Sequence, residues 1–385
     1  MAVLTEGGDD EGGGHGFRSG KDDALSVEDE ACRGTRGGDD RGHRHRHIRY
    51  LGYHGVRSDT HLVGRVRRFP PPKVPHAHHP HSRALGGFLL LQALTALALA
   101  SPSTDSAVVR DIEVAPGETL RTTSAGTGEP LVMLPGLFGA AFSFRGIVPV
   151  FIAQGYRCIV VEPLGYGWSS RPKRADYSFT AQTQRVARVL DSLGVSRALV
   201  VAQSSGAAIA FRLGVTRPEL VRGILSIDGG PSESAATPGM RKAFRFGGLV
   251  AKLALDDAKL RHDVRRELVR NSGDTTWVTA AVLRGYTEAP AADLSAAIDA
   301  FRQMSKAKES ESLADRLHEF RGPVRLLVGT VEHPAEVPEE QRELLRRRLA
   351  DFASDSVVGS GQYIQEEQPE AVVAAVGRLR AAAGR

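Results

Sequence analysis

The chain has 385 residues, 41 % hydrophobic and 25 % charged, with a formal charge of +5 spread along its length. That is enough for one large domain plus extra material, and so modest a charge gives no ground for a nucleic-acid partner. Its two cysteines, Cys32 and Cys158, are too few for a disulfide framework.

The chain opens on a segment unlike the rest. Ten of the thirteen histidines lie between His15 and His81, in a stretch dense in Gly, Arg and Asp with no hydrophobic periodicity. Such a stretch cannot bury enough apolar surface to fold alone, so residues 1–83 are expected to be a disordered leader or an over-extended gene start. The runs around His43 to His47 and His76 to His81 could bind metal or polyanions, but a solvated or artefactual tail is the preferred reading. Residues 84–101 then carry an apolar run, LGGFLLLQALTALALA, with Arg83 before it and Ser101 after it. A basic flank, a short apolar core and small residues at the end describe a secretory signal peptide. The expectation is export to the periplasm or medium with a mature start near Ser101, and a cytoplasmic location otherwise. A membrane anchor or a buried helix is the alternative, although the run is short for a stable span.

From here the pattern is regular. Asp111 to Val114 and Thr119 to Thr123 read as a hairpin about Pro116-Gly117. Apolar strands are expected at Pro130 to Leu134, Arg157 to Val161, Ala198 to Ala202, Gly223 to Ile227, Val324 to Val328 and Ser356 to Val358. Helices are expected at Phe142 to Gln154, Thr180 to Leu193, from Ala207 to Leu213, and at Glu370 to Ala382. Alternating strands and helices predict an α/β fold with a mainly parallel sheet covered on both faces. Residues 107–230 and 321–385 would form this core. Residues 231–320, mostly helical and including Ala258 to Val269 and Ala292 to Met304, would form a helical cap over the carboxyl ends of the strands, where such sheets bind ligands.

The sharpest chemical signal is Val200-Val201-Ala202-Gln203-Ser204-Ser205-Gly206-Ala207. A buried strand enters a small-x-Ser-x-small turn and leaves at once as a helix, which presents a serine hydroxyl on a strained tip. Small residues are needed at 202 and 206 because strand and helix approach closely there. A second signal, Leu134-Pro135-Gly136-Leu137-Phe138-Gly139, follows the third strand. Acyl transfer needs donors aimed at the oxygen that becomes negative, and the backbone N–H groups of Ser205 and Leu137 are the candidates.

These motifs, together with EPLGYGWSSRP (Glu162 to Pro172) and the tail GSGQYIQEEQPEAV (Gly359 to Val372), resemble the α/β-hydrolase superfamily over residues 111 to 383. The resemblance implies an α/β-hydrolase fold with an inserted helical cap and Ser204 as nucleophile; the serine argues against dehalogenase or epoxide-hydrolase chemistry, which a nucleophilic Asp would suggest. It also implies a histidine base where this chain has Gln362, and an acid at Glu332, three residues past the strand-end Gly329, in preference to the second location, Asp228 after the preceding strand. Phe138 and Trp168 are the expected pocket residues, Trp168 either lining the entrance or simply packing. His333 beside Glu332 is the nearest alternative base, provided the acid loop folds back.

A glutamine side chain has no nitrogen that takes up a proton at neutral pH. The leading expectation is therefore a serine hydrolase of small esters or related acyl compounds, impaired at its base; the rival is a ligand-binding or sensor protein on a hydrolase scaffold. No phosphate loop, metal-ligand spacing or nucleotide fingerprint is present in the folded part, so no cofactor and no metal is expected, and the partner is a small-molecule substrate with no stable membrane span.

Overall fold

The computed structural model describes residues 107–234 and 256–384. The leader, the signal-like segment and the stretch 235–255 of the expected cap lie outside the described residues. Eight strands form one sheet in the order β1-β2-β4-β3-β5-β6-β7-β8: β1 Val108–Ala115, β2 Glu118–Ala125, β3 Glu129–Leu134, β4 Tyr156–Val161, β5 Ala198–Gln203, β6 Val221–Ile227, β7 Val324–Gly329 and β8 Phe352–Val357. The hairpin β1–β2 and the pair β2–β4 are antiparallel, and every other pairing is parallel. This is an α/β-hydrolase fold.

Side chains alternate across the central strands and feed two separate cores. Val132, Leu134, Val200, Ala202 and Ile224 pack on one face with α2 (Phe179–Ser192) and α3 (Ser205–Thr216). Leu131, Met133, Leu199, Val201, Leu225 and Ile227 pack on the other with α1 (Val148–Ala153) and the terminal helix. All six residues of β5 are buried, so the strand leading to Ser204 is enclosed on both faces.

Between β6 and β7 the chain inserts α4 (Asp257–Arg270), α5 (Ala280–Ala292), α6 (Leu294–Met304) and the short α7 (Leu313–Arg316). Three of them start on side-chain caps, Asp256, Thr279 and Asp293 accepting from the N–H groups of Lys259, Val282 and Ala296. The insert has a small core of its own in Leu260, Val264, Leu268, Val278, Val282 and Tyr286, and Tyr363 from the main body closes it. The chain finishes with α8 (Glu339–Arg348), α9 (Ile364–Glu367) and α10 (Pro369–Ala383). Among the described residues no helix is long and apolar enough to cross a membrane.

Local differences from the expected elements have physical causes. The helix expected from Phe142 to Gln154 is broken into a 3-10 turn, Ala141–Phe144, and α1; Pro149 lacks an N–H and fits only a first turn. Strand β8 begins at Phe352, four residues before the expected Ser356, because an edge strand reading FASDSV buries little and shows no apolar run. Helix α8 is built on charge, with Glu339 and Glu340 in its first turn and Arg346, Arg347 and Arg348 in its last, an arrangement that complements the helix dipole but carries no hydrophobic period.

Candidate active site

Strand β5 delivers Ser204 into a conformation that side chains rarely adopt, φ 49° and ψ −121°. Such a residue stores roughly 1–3 kcal/mol of strain, and the surroundings hold it there. The Ser204 N–H donates to the Ile227 carbonyl at 2.9 Å, and the Ser204 carbonyl accepts from Ala207 at 3.0 Å. Helix α3 leaves so close to β3 that a Cβ on Gly206 would lie 2.6 Å from the Leu134 carbonyl oxygen and 2.8 Å from that of Pro135. Ala202 is wholly buried. Ser204 and Ser205 are the partly exposed residues in the otherwise buried run 198–215.

Gln362 meets Ser204 from the loop after β8. Its Nε2 donates to Ser204 Oγ at 2.8 Å, and the side chain is buried. The contact reverses the polarity that base catalysis requires: the amide nitrogen gives a hydrogen bond to the hydroxyl and has nothing with which to take its proton. The loop is fixed from the insert, since the Gln362 N–H donates to the Asn271 carbonyl at 2.7 Å.

The loop after β3 lies against the same turn. Gly136 N–H donates to Gln203 Oε1 at 3.0 Å, and Leu137 N–H donates to Ser205 Oγ at 2.8 Å. Tyr166 Oη is 3.2 Å from that same Ser205 oxygen, and burial pushes its phenol up to about 12. Phe138, at φ 68°, stands edge-on to Phe301 of α6 with ring centroids 4.7 Å apart, so an aromatic contact joins this loop to the insert. Trp168 is 39 % exposed and carries the Arg121 guanidinium 5.6 Å from its ring centroid. Its backbone N–H donates to the buried Glu162, whose carboxyl burial raises above the usual range against the pull of the Ala141 and Trp168 amides.

The two candidate acids are placed very differently. Glu332 is exposed, whereas Asp228 is buried at φ 45° with His333 Nε2 at 3.1 Å from its Oδ2. Asp228 sits directly behind Ser204: the Ser204 N–H is bonded to Ile227, and Gly229 backs onto the Ser204 carbonyl with no room for a side chain. Burial raises the Asp228 carboxyl, and His333 opposes that rise. The loop after β7 thus folds back as the His333 alternative requires, and its destination is Asp228. The offset from Gly329 points at Glu332, one residue short of the side chain that turns inward. Among the described residues no group of three or more His, Cys, Asp or Glu is placed to hold a metal ion.

Comparison with known proteins supports the fold. A family profile described as alpha/beta hydrolase fold matches residues 129–274, a stretch that spans β3 through the Ser204 turn and Asp228 and stops short of Gln362. A haloalkane dehalogenase of Mesorhizobium japonicum is 33 % identical over 148 residues, 36 % of this chain and 47 % of that protein. A 2-hydroxymuconate semialdehyde hydrolase of Pseudomonas sp. is 28 % identical over 157 residues, 40 % of this chain and 54 % of its own. The chain spans about a fifth to a half of the length of these and the other first curated relatives it matches. Among solved structures, the epoxide hydrolase CorEH aligns with 72 % of this chain and 99 % of its own at a TM-score of 0.61 and 18 % identity, a likeness of fold.

Proposed function

We propose that this chain, on its α/β-hydrolase fold, is a serine hydrolase that attacks small esters or related acyl compounds through Ser204, with turnover held down by an amide at the base position. The observation that carries the reading is the strained Ser204 with Gln362 Nε2 2.8 Å from its hydroxyl. The turn aims the oxygen at a bound acyl carbon, and donors from the Ser205 and Leu137 side receive the oxygen that becomes negative. Among the described residues no imidazole touches Ser204, so its proton leaves without the base that contributes roughly 10²–10⁴ in rate. Asp228 is the carboxylate of the site, because it is buried beside the turn while Glu332 faces solvent. The insert acts as the cap, reaching the site through Phe301 and Asn271.

The test is hydrolysis of p-nitrophenyl butyrate by the wild type, Gln362→His, and each with Ser204→Ala. Slow hydrolysis that depends on Ser204, rising by about two decades or more in Gln362→His, is the expected result. Equal rates in Gln362→His and wild type, with no capture of Ser204 by a fluorophosphonate, would overturn it.

A ligand-binding role is the second reading, and one feature favours it. With Gln362 donating to Ser204, the site offers hydrogen-bond donors and no base, which suits recognition of a carbonyl oxygen better than its attack. Fluorophosphonate capture at Ser204 without ester turnover, in the wild type and in Gln362→His alike, would select it.

A further inference from the structure

Ser205, the residue after the proposed nucleophile, holds a hydroxyl between two donors. The Leu137 N–H, one of the two backbone groups expected to face an acyl oxygen, already donates to Ser205 Oγ at 2.8 Å. The Tyr166 phenol lies 3.2 Å from the same oxygen. A serine hydroxyl has two acceptor positions and one hydrogen, so the direction of the Tyr166 contact decides what is left over. If Ser205 donated to Tyr166, the phenol's own hydrogen would be buried without an acceptor, since Tyr166 is only 2 % exposed; an unmatched buried donor costs about 1–3 kcal/mol. With Tyr166 donating, its buried hydrogen has an acceptor. Both acceptor positions of Ser205 Oγ are then filled, and its hydrogen faces away from Leu137 and Tyr166. Ser204 and Ser205 are partly exposed while Tyr166 is enclosed, so among these groups the Ser205 hydrogen is the one a bound molecule can reach.

We propose that the Ser205 hydroxyl, rather than the Leu137 amide, is the donor that meets the acyl oxygen, with Leu137 and Tyr166 standing behind it as positioning residues. The Leu137 hydrogen bond polarises the hydroxyl and is passed on by one atom. As a result the oxygen is held by the O–H and N–H of a single residue, and the site takes a carbonyl reached further from the β3 loop than a direct Leu137 contact allows. This deepens the serine-hydrolase reading and rests on it.

Kinetics on p-nitrophenyl butyrate in the Gln362→His background, where turnover is readily measured, test the proposal. Ser205→Ala is expected to lower kcat about a hundredfold, the usual loss for one such donor, with KM within about threefold. Ser205→Thr keeps the hydroxyl and should stay within a few fold of its parent, and Tyr166→Phe should lose about three- to tenfold in kcat. A trifluoromethyl ketone, which adds Ser204 to give a negative oxygen, should inhibit Ser205→Ala about a hundredfold less well. A purely structural role for Ser205 would not separate that inhibitor from KM. If Ser205→Ala were as fast as its parent or faster, the hydroxyl would be a plug on the Leu137 amide and the proposal would be overturned. Should Ser205→Ala fail to fold, a loss of about threefold or more in the kcat of Tyr166→Phe carries the proposal and an unchanged kcat in that variant defeats it. Ser204→Ala keeps the two levels apart, since an undiminished rate there removes the serine-hydrolase reading itself.

Discussion

Ser204 and Gln362 touch, yet they are held by different kinds of structure. The Ser204 turn is fixed by backbone packing at the centre of the sheet: β5 is buried on both faces, Gly206 lies against the Leu134 and Pro135 carbonyls, and Ile227 anchors the Ser204 N–H. The Gln362 loop is fixed by polar contacts that bridge to the insert. Gly361 lies against the Asn271 carbonyl too closely for a side chain. Glu367 accepts from Gly273 at 2.7 Å, Asp274 at 2.8 Å and Gly361 at 3.1 Å. Glu366 takes Arg145 Nη1 at 2.6 Å and the Tyr286 phenol at 2.8 Å. The turn that carries Ser204 is therefore a property of the main body, while the loop that carries Gln362 is shared between body and insert. A substitution at 362 changes the chemistry while leaving this scaffold intact, and a disturbance of the insert reaches residue 362 before it reaches Ser204.

The largest expected effect breaks the first half of this contrast. A methyl on Gly206 meets backbone oxygens on β3 and its loop, which cannot swing aside as a side-chain tip would. Gly206→Ala should cost about 3 kcal/mol or more and abolish capture of Ser204 by a fluorophosphonate. Urea denaturation alongside labelling checks both. A stable variant that still labels would show that the turn is not held by this approach.

The same contrast explains what could be read from the chain before its structure. The turn at Ser204 was legible because its requirements are local: an apolar strand, small residues at 202 and 206, and a helix within one residue. The parallel core was legible for the same reason, since runs such as ALVVA and GILSI are buried on both faces. The role of residue 333 was not, because it depends on which of two adjacent side chains a loop turns inward, and the loop answers to Asp228 on another strand. Helix α5 was also missed, as Gly285 and Pro290 interrupt its pattern. Gly285 is there because the Phe142 ring occupies the space its Cβ would take, a contact between distant segments that no local pattern records.

An intermediate effect is expected at Glu367, which ties the 362 loop to the turn after α4. Glu367→Ala frees three N–H groups and should cost about 1–2 kcal/mol, less than Gly206→Ala because water reaches two of them. In the Gln362→His background it should lower ester hydrolysis by about tenfold, since an imidazole displaced by 1 Å is a poor base. The fluorophosphonate should still find Ser204 in the Gln362 protein. Equal losses of labelling and hydrolysis would mean that the loop and the turn are one unit after all.

The smallest effect is a pH dependence at Glu366. Its side chain is 5 % exposed, and burial raises its carboxyl above the ordinary range of about 4.3, against the opposing pull of Arg145 and the Tyr286 phenol. A raised folded value means that the folded protein holds more protons than the unfolded chain between the two values. Stability then falls as pH rises through that window. Below it both states are protonated, and the contribution is flat. Glu366→Gln removes the titration while keeping a polar side chain, so the stability of the wild type minus that of the variant should decrease as pH rises from about 4. The slope can be no steeper than about 1.4 kcal/mol per pH unit for one group. Because Glu366 joins the body at Arg145 to the insert at Tyr286, hydrogen exchange should show the loosening in α5 and the 362 loop, with β5 unchanged. A difference that increased with pH would mean that the Arg145 pair outweighs burial, and the joint between body and insert would then be tightest in neutral solution.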